Sequence, residues 1–558
     1  MLHVPNDPPP LSAPLVSRRE WRAVILFALA ILLLTTLPYL AGAAGGDSDH
    51  HFGWFTFRVE DGNSYLAKMR QGASGDWLFR LPYTHEPHDG ALMFVPYLLL
   101  GKVAALIAPP DSPALADAML LVYHAARLIF GGLLILVTYR FVAVFLRSRR
   151  LRWLALTLIC LGGGAGWLLI ALGAGYWYGE PPLDINVPEA YTFYLFYGLP
   201  HLSLARAGLL GGWLFMFRAA RSGPPQQWLP AAALAGACWL VTALCAPFLV
   251  AVIGGVLGAW GLAVWLRTRT FPGALALRVA IAAIPAGVML LYTLLAVGAN
   301  PALSAFQAQN LLLSPHPAHL IAGYGLYVIL GLPALGWAWR RGGRDARFLL
   351  LLAWIVAAPL LAYVPVEIQR RLLEGVFVPL CILAAAGMHL GLLRWLQRRA
   401  GRRASSVATL ALIGLAALTP ALTLLYSAVN VLVPPTAAPF YHATDELAAL
   451  DWLNANASPD SVALAADPIT ANYLPARTAL RGYYGHPIET LDVRRKQAAA
   501  RRFFAGEMDA AERCAFLTES RIGYVLDGPI PAPLDAMPDL RPVFEVGRYR
   551  VFAVAGCE

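Results

Sequence analysis

The sequence predicts an α-helical polytopic membrane protein with a small α/β domain at its C-terminus. Of the 558 residues, 58% are hydrophobic and only 14% are charged. Repeated apolar runs are long enough to cross a bilayer core of about 30 Å. The composition turns polar near residue 434. We therefore expect a cytoplasmic tail (1–20), a membrane domain (21–433) with a large first outer loop (42–117), and an extracytoplasmic α/β domain (434–558).

Basic clusters in short loops orient the chain in the membrane. The formal net charge of +10 comes from 43 Lys and Arg against 33 Asp and Glu, mostly in such loops. This pattern marks cytoplasmic loops and does not indicate nucleic-acid binding. Arg18, Arg19 and Arg22 precede the first span and place the Pro-rich N-terminal tail in the cytoplasm. A cleavable signal ending near Ala41-Gly42-Ala43 is the alternative, but the apolar run is long for one.

About eleven transmembrane helices are predicted, and they leave the C-terminus outside. The apolar stretch 91–108 is expected to lie at the outer interface, because it contains Lys102 and ends at Pro109-Pro110. Counting it as a span would put the arginines of 147–152 on the outer face. The spans are expected at about 21–41, 118–146, 151–173, 195–219, 228–246, 247–266, 275–298, 319–339, 347–364, 373–396 and 406–431.

The polar C-terminal segment has the patterns of a small α/β domain. Residues 444–456 place Leu447, Leu450 and Leu453 on one helical face. Short strands are predicted at 462–465 and 524–526, and a closing hairpin at 544–554 turns at Gly547-Arg548. Cys514 and Cys557 both fall in this domain, where an oxidising compartment permits a disulfide, and their pairing stays open.

The first outer loop holds the densest run of reactive side chains. It contains Glu60, Asp61 and Lys68, followed by the stretch His85-Glu86-Pro87-His88-Asp89. In so apolar a chain, acids and histidines on a large outer loop are the best candidates for chemistry. Solvated surface charge is the alternative, with Trp77 and Tyr83 acting only as interfacial anchors.

Two adjacent arginines, Arg370 and Arg371, fall on an outer loop and break the positive-inside pattern. Guanidinium groups match phosphate oxygens in a bidentate fork, which favours a phosphorylated lipid as their ligand. A salt bridge to Glu367 or Glu374 is the alternative.

Three further candidates lie on the outer side. Glu189 precedes the fourth span, and His201 sits at the outer mouth of that span, where a histidine is more often structural. His486 lies in a stretch of glycines and tyrosines, 481–490, that has the composition of a binding loop or of an ordinary packed turn. Cysteine and histidine spacings show no zinc motif.

The order of these features resembles the GT-C superfamily of integral-membrane glycosyltransferases. Glu60-Asp61 followed by Tyr65, Met69 and Gly75-Asp76-Trp77-Leu78 is similar to the first-loop pattern of bacterial sugar and aminoarabinose transferases and of protein O-mannosyltransferases. The resemblance extends to uncharacterised bacterial membrane proteins of this type. Two departures stand out: the usual Asp-Glu order is reversed, and His85-Glu86-Pro87-His88 replaces a Lys-Pro-Pro-Leu element.

The resemblance implies inverting transfer of a sugar from a polyprenyl-phosphate carrier to a glycan, lipid or protein hydroxyl. The reaction would take place at the outer face of the bacterial cytoplasmic membrane. It implies Asp61, or else Glu60, as the base and Arg370 and Arg371 as ligands of the donor phosphate. Substrate or acceptor binding is expected from Lys68, His85, Glu86, His88, Glu189, His201 and His486. A divalent metal ion stays open, because some members of the superfamily use one and others do not.

Two other function classes remain in view. A lipid-linked saccharide transporter or ligase-like protein would share the spans, but no Asp or Glu falls in the middle of any predicted span, as coupled carriers usually require. A non-catalytic envelope scaffold would need none of the loop acids.

Overall fold

The computed structural model describes residues 16–221, 223–434, 436–530 and 532–556. Most of the predicted N-terminal tail and Cys557 of the open disulfide pairing lie outside these residues. Within them the chain is a multi-pass bundle of apolar helices followed by a C-terminal sheet domain, which confirms the predicted fold class.

The helices that precede the C-terminal domain lie between residues 18 and 432. They are α1 (Arg18–Gly45), α2 (Val59–Ala73), α3 (Val95–Ala105), α4 (Ala114–Phe145), α5 (Arg149–Leu161), α6 (Gly166–Ala171), α7 (Leu183–Asn186), α8 (Phe193–Gly198), α9 (Pro200–Ala219), α10 (Pro225–Cys245), α11 (Leu249–Thr268), α12 (Gly273–Ala299), α13 (Pro301–Gln309), α14 (Pro317–Gly342), α15 (Arg347–Leu361), α16 (Phe377–Leu390), α17 (Leu392–Ala416) and α18 (Leu418–Leu432). Short 3₁₀ turns occupy Pro188–Ala190 and Gln369–Leu373.

Among the described residues, seven helices are long and apolar enough to cross a membrane, or eight if the bent pair α17 and α18 forms one span. These match eight of the predicted spans. The other three predicted spans coincide with α5, which has 13 residues, with α9, which carries Arg206 and Arg218, and with α15, which has 15 residues. These three helices are shorter or more charged than the other eight, and apolar composition alone does not reveal where a helix is shortened. The 11-residue helix α3 is shorter than a span, as expected of the 91–108 stretch.

The C-terminal domain is built on a five-stranded mixed sheet with strand order β4-β3-β5-β7-β6. Strand β3 runs parallel to β4 and β5, whereas β7 is antiparallel to both β5 and β6. The predicted helix, strands and hairpin of this domain are all present. Its elements are β2 (Tyr441–Ala443), α19 (Thr444–Asn456), β3 (Val462–Ala465), α20 (Pro468–Arg477), β4 (Arg481–Gly482), α21 (Val493–Phe504), α22 (Ala510–Glu519), β5 (Ile522–Asp527), β6 (Leu540–Val546) and β7 (Tyr549–Val554).

The first loop is fastened to the C-terminal domain by a small separate sheet. Strand β1 (His50–Phe52) pairs antiparallel with β2, so that His51 faces His442 across the strands. The Gly53 amide continues this contact by donating to the carbonyl of Phe440 at 2.8 Å. The loop is therefore part of the packed structure.

Helix α2 is clamped between α3 and α20. A Cβ on Gly72 would lie 2.0 Å from the carbonyl oxygen of Leu98, and a Cβ on Gly101 only 1.7 Å from that of Met69. Backbones that approach so closely leave room for glycine alone. On the opposite side, the Asn63 amide donates to the Asn472 side chain of α20 at 2.8 Å. These contacts hold α2 near both of its ends.

A buried ion pair joins α9 to the segment that carries the two unusual arginines. Arg206 is fully buried and pairs with buried Glu374, while its other nitrogens donate to Thr192 Oγ1 at 2.9 Å and to the Glu189 carbonyl at 2.6 Å. Removing a charge of this kind from water is expensive unless it is paired and hydrogen-bonded. Glu374 therefore neutralises Arg206.

Substituting Gly101 by Ala should destabilise the fold, because the added methyl collides with the backbone of α2. Overpacking of this kind typically costs about 1–3 kcal/mol. The measurement is thermal unfolding of the purified protein in lipid. Gly132→Ala is the matched control, since its Cβ would meet only the Leu32 side chain at 3.6 Å. Equal melting temperatures for the two variants would show that the α2–α3 contact is looser than described.

Candidate active site

Asp61 lies in the first turn of α2, where the helix dipole favours a negative charge. One carboxylate oxygen is 3.5 Å from Nη1 of Arg58, and the other is 3.5 Å from Nε2 of His486. The Asp61 side chain is 31% exposed. The carboxylate is thus held between a cation of the first loop and a histidine of the C-terminal domain, and part of its surface stays open.

His486 presents a defined nitrogen to Asp61. Its Nδ1 accepts hydrogen bonds from the backbone N–H groups of Ile488 and Glu489, both at 3.1 Å. Because Nδ1 is an acceptor, the proton of the neutral ring is on Nε2, the atom that faces Asp61. The ring is only 3% exposed. The structure therefore brings this predicted substrate-binding residue to the carboxylate as an orienting neighbour.

The pKa of the Asp61 carboxyl lies well below its usual range. Burial raises it, but the neighbouring Nε2 of His486 and the positive charges of Arg58 and Arg371 lower it by more. Asp61 is accordingly ionised throughout the physiological pH range. A carboxylate surrounded by cations is also a weak base, so its ability to take a proton depends on what else binds nearby.

Glu60, the other acid of the predicted pair, is exposed. Its backbone carbonyl is 3.5 Å from Nδ2 of Asn472. Of the two neighbouring acids, Asp61 is the one that the fold surrounds with charged groups.

The charge of Arg371 acts on the Asp61 carboxyl, and Arg371 pairs weakly with another acid. Its Nε lies 3.4 Å from Oε1 of buried Glu189, and its guanidinium group stacks over Phe248 at 5.1 Å. Within the described residues, neither Arg370 nor Arg371 forms an ion pair with Glu367 or Glu374. The salt-bridge partners considered from the sequence are therefore not the ones adopted, because Glu374 is taken by Arg206.

Lys68 is fully buried at the junction between α2 and the C-terminal domain. Its ammonium donates to Oε1 of Glu489 at 2.7 Å and to the Ser64 hydroxyl, and Ser64 donates to the same oxygen at 2.6 Å. It also lies 4.4 Å from the ring centre of Phe94. Burial raises the pKa of Glu489, but the charge of Lys68 and the hydrogen bonds from Lys68 and Ser64 outweigh it, and the net shift is downward. Lys68 thus joins the two parts of the site.

The stretch His85-Glu86-Pro87-His88 docks on the C-terminal domain. Glu86 accepts a hydrogen bond from Lys496 at 2.7 Å, and His85 stacks on Tyr483 with ring centres 5.3 Å apart. Burial and the Lys496 charge lower the pKa of His85 to about 4, so the ring is neutral. His88 bonds within its own loop, to Leu81 and to the Glu86 carbonyl. None of the described contacts joins these three side chains to Asp61.

An aromatic wall follows Asp61 along the same face of α2. Tyr65, one turn further on, stacks on Tyr97 with ring centres 4.5 Å apart. The Tyr97 hydroxyl is 2.5 Å from Nδ1 of His201, whose ring lies 5.2 Å from that of Tyr65. His201 is therefore held in this wall by Tyr97.

Sequence reasoning missed Arg58 and Glu489. Arg58 stands three residues before Asp61, and this spacing is typical of an ion pair at the start of a helix. The sequence could therefore have predicted the Arg58–Asp61 pair. Glu489 lies in the predicted binding stretch 481–490, but its pairing gave no signal, because its partner Lys68 is 421 residues away in the chain.

The neighbours of Asp61 do not fit a divalent cation. Both of its oxygens face nitrogen groups, of Arg58 and His486, which repel or cannot ligate a metal while they bind the carboxylate. Across the described ranges, no group of three or more His, Cys, Asp or Glu side chains could hold a metal ion.

Comparison with known proteins gives the fold. No protein-family model matches the chain, and no curated protein matches it. Among solved structures, the Archaeoglobus fulgidus oligosaccharyltransferase tethered with an acceptor peptide is similar with 12% identity and a TM-score of 0.50, over 90% of this chain and 69% of that one. ArnT from Cupriavidus metallidurans bound to undecaprenyl phosphate has 12% identity and a TM-score of 0.48, over 96% of this chain and 98% of that one. The likeness to the oligosaccharyltransferase confirms the predicted GT-C-like fold.

Removing only one partner of the Lys68–Glu489 pair should be more harmful than removing both. Glu489→Met leaves a buried, unpaired ammonium and should cost about 3–5 kcal/mol, whereas apolar replacement of both partners avoids that penalty. Thermal unfolding in lipid should therefore rank Lys68→Met/Glu489→Met above Glu489→Met.

The control for this comparison is the exposed pair Arg80–Asp460, with 3.5 Å between its charged atoms. Asp460→Asn should change stability by about 1 kcal/mol or less. A double variant as unstable as Glu489→Met would mean that the Lys68 charge is not what makes the single substitution costly.

Proposed function

We propose that this protein transfers a sugar from a polyprenyl-phosphate carrier to an acceptor hydroxyl, with inversion, at the outer face of the bacterial cytoplasmic membrane. The observation that carries the proposal is Asp61, a partly open carboxylate set among Arg58, Arg371 and His486. The proposal is supported by the fold shared with an oligosaccharyltransferase that was captured with an acceptor peptide.

The proposed topology follows the positive-inside pattern. The N-terminal segment 1–20 lies in the cytoplasm, the membrane domain spans 21–433, and the domain 434–558 stands outside together with the first loop 42–117. Asp61 and His486 then face the same compartment, as their contact requires.

In the proposed reaction Asp61 takes the proton of the acceptor hydroxyl. At the same time the hydroxyl oxygen attacks the anomeric carbon of the donor sugar. The new C–O bond forms on the face opposite the carrier phosphate, and the bond to that phosphate breaks, which inverts the anomeric centre. The electron pair leaves with the polyprenyl phosphate. Arg371, with Arg370 and Arg58 nearby, stabilises the charge that develops on this leaving group.

Donor binding would also make Asp61 a better base. The Arg58 and Arg371 charges that hold the pKa of Asp61 down are the ones that a bound phosphate would offset. With that charge offset, the pKa of Asp61 rises toward the range in which a general base works well. The base would thus be strengthened only when the donor is in place.

The contacts of the remaining candidate site residues suggest a different role for each of them. Lys68 and His486 act as positioning residues, because one holds α2 and the other holds the Asp61 carboxylate. Tyr65 offers a partly exposed ring one turn from Asp61, and a sugar ring can pack on such a surface. Glu189 acts through Arg371, and His201 acts through Tyr97. No step of the reaction is assigned to a metal ion.

Asp61→Asn should lower turnover by about 10²–10⁴-fold, because the amide cannot accept the proton. The measurement is transfer of label from a panel of radiolabelled polyprenyl-phosphate sugars by the purified protein in lipid, with donor binding measured in parallel. Glu60→Gln is the matched control and should retain turnover.

Full turnover in Asp61→Asn would remove Asp61 as the base. Donor binding without turnover in the wild type and in both variants would favour a lipid-linked saccharide transporter.

Arg371→Gln should change both donor affinity and pH dependence. Loss of a charged hydrogen-bond donor to phosphate should raise KM for the donor by about 10- to 150-fold, equivalent to about 1.5–3 kcal/mol. Because the Arg371 charge lowers the pKa of Asp61, its removal should move the acidic limb of kcat/KM to higher pH. The Arg80→Gln variant, altered at an exposed ion pair outside the site, should leave that limb in place. If the acidic limb of Arg371→Gln is unchanged, the Arg371 charge does not control the pKa of Asp61.

A further inference from the structure

An apolar groove runs between α11 and α12. Its volume is about 510 Å³, within the range of about 300–1,000 Å³ that small-molecule sites occupy. Both helices are long and apolar enough to cross a membrane, so the groove is surrounded by hydrocarbon in a bilayer. Among the described residues that line it none is charged, and the largest are Leu257, Trp260, Leu262, Trp265, Phe271 and Leu275.

The groove lies toward the end of α11 that is remote from the candidate active site. At the other end of this helix, the Arg371 guanidinium stacks over Phe248, the residue that immediately precedes α11. At a rise of about 1.5 Å per residue, Gly261 in the groove lies about 20 Å from Phe248 along the helix axis. The proposed transfer reaction therefore does not account for the groove.

Trp260 fixes the deep wall of the groove. Its indole N–H donates to the carbonyl of Ala346 at 2.8 Å, and its ring packs edge-on against Trp213 with ring centres 5.7 Å apart. A wall held in this way cannot move inward to fill the space. Without an occupant, the side chains that line the groove would forfeit their dispersion contacts. In a membrane the occupant that this lining selects is a hydrocarbon chain.

The groove is open toward the surrounding lipid. Phe271, in the connection between the two helices, lines it although 75% of the residue is exposed. Gly254, Gly258 and Gly261 line the α11 wall, and a Cβ on any of them would meet no atom within 4 Å. A lipid chain can therefore enter from the bilayer, and a larger side chain on this wall would take its place without disturbing other contacts.

Two exposed arginines stand at one end of the groove. Arg267 belongs to the last turn of α11 and Arg269 follows the helix, between the lining residues Trp265 and Phe271 in the chain. The sequence contains no Asp or Glu from residue 190 to residue 344. Across the described ranges neither arginine forms an ion pair with an acid, and the next acid along the chain is bound to another arginine. Guanidinium groups beside an apolar groove complement a lipid with an anionic headgroup.

We infer that this groove binds an anionic phospholipid, with one hydrocarbon chain between α11 and α12 and the phosphate against Arg267 and Arg269. The proposed topology places this end of α11 in the cytoplasm, so the lipid belongs to the cytoplasmic leaflet. A polyprenyl phosphate has the same two chemical parts, but a carrier bound here would hold its phosphate at the opposite end of α11 from Arg371. The placement therefore favours a phospholipid of the bilayer. The inference goes beyond the proposed transfer reaction, since it needs neither Asp61 nor a sugar.

The test is native mass spectrometry of the full-length protein released from nanodiscs that contain equal amounts of phosphatidylglycerol and phosphatidylethanolamine. The wild type should retain phosphatidylglycerol. Gly258→Leu should lose this lipid, because the leucine side chain occupies the space of the hydrocarbon chain, and Gly261→Leu should have the same effect. The double variant Arg267→Gln/Arg269→Gln should lower the preference for phosphatidylglycerol by about tenfold or more, the effect of a lost charged hydrogen bond.

Two variants serve as matched controls. Gly287→Leu adds the same side chain where a Cβ also meets no atom within 4 Å, but Gly287 does not line the groove. Arg398→Gln removes an exposed arginine of α17. Both should retain phosphatidylglycerol like the wild type. Thermal unfolding in lipid checks that each variant is folded.

Several outcomes would overturn the inference. One is equal retention of phosphatidylglycerol by the wild type and by folded Gly258→Leu. Another is equal retention of the two phospholipids by the wild type, because the headgroup charge would then select nothing. Undecaprenyl phosphate that replaces phosphatidylglycerol when added in equal amount would assign the groove to the carrier. A dimer that Gly258→Leu abolishes, with no lipid retained, would assign it to a second copy of the chain.

The same experiment keeps this inference apart from the proposed function. Asp61→Asn should retain phosphatidylglycerol like the wild type, because the groove and the carboxylate lie at different ends of the bundle. Groove-dependent retention in a protein that transfers no labelled sugar would support the inference and leave the proposed function unsupported. Sugar transfer by a wild type that retains no phosphatidylglycerol would have the opposite meaning.

Discussion

The buried bridge between Lys68 and Glu489 is the contact on which the candidate site depends. It joins α2 of the first loop to the C-terminal domain across 421 residues of sequence, through a 2.7 Å hydrogen bond between charged groups. Lys68 is fully buried, so its charge is tolerated only in the one arrangement that brings Glu489 to it. His486 stands three residues before Glu489 and shares that arrangement, because the Glu489 amide donates to its ring. The bridge that holds α2 in place thus also brings the imidazole to Asp61.

The last turn of α2 is held by contacts of a different kind. There the glycines at 72 and 101 let two backbones meet, and no side chain intervenes that could adapt. The buried ion pair and the steric contact between backbones together leave the helix little freedom to rotate or slide. For Asp61 in the proposed role of general base, this restraint matters more than stability, since a small displacement of a reacting group lowers the rate steeply.

The sequence predicted the features that depend on neighbouring residues, and it did not predict contacts between residues far apart in the chain. Hydropathy located the helices, and amphipathic patterns located α19 and the closing hairpin, because each of these depends on residues close together in the chain. The reactive character of the loop around Asp61 was also visible. Lys68 and Glu86 were expected to bind substrate, yet they pair with Glu489 and Lys496, more than 400 residues away. A single sequence carries no record of such pairings, so a buried structural lysine and a catalytic one look alike.

For Arg370 and Arg371, the structure excludes the salt bridge to Glu374 that the sequence had left open. The positive-inside rule disfavours arginines on the outer side of a membrane protein, so an arginine there needs a partner for its charge. A salt bridge to Glu374 could have supplied that partner. Glu374 is instead committed to Arg206. Arg371 is left with a 3.4 Å contact to Glu189, and Arg58 and Arg370 stand in the same electrostatic neighbourhood. Three guanidinium groups thus share one electrostatic neighbourhood with the carboxylates of Asp61, Glu189 and Glu180, and this concentration of guanidinium groups offers hydrogen-bond donors to an anion. A lipid phosphate would supply that anion, and it would at the same time release Asp61 from the field that keeps it a weak base.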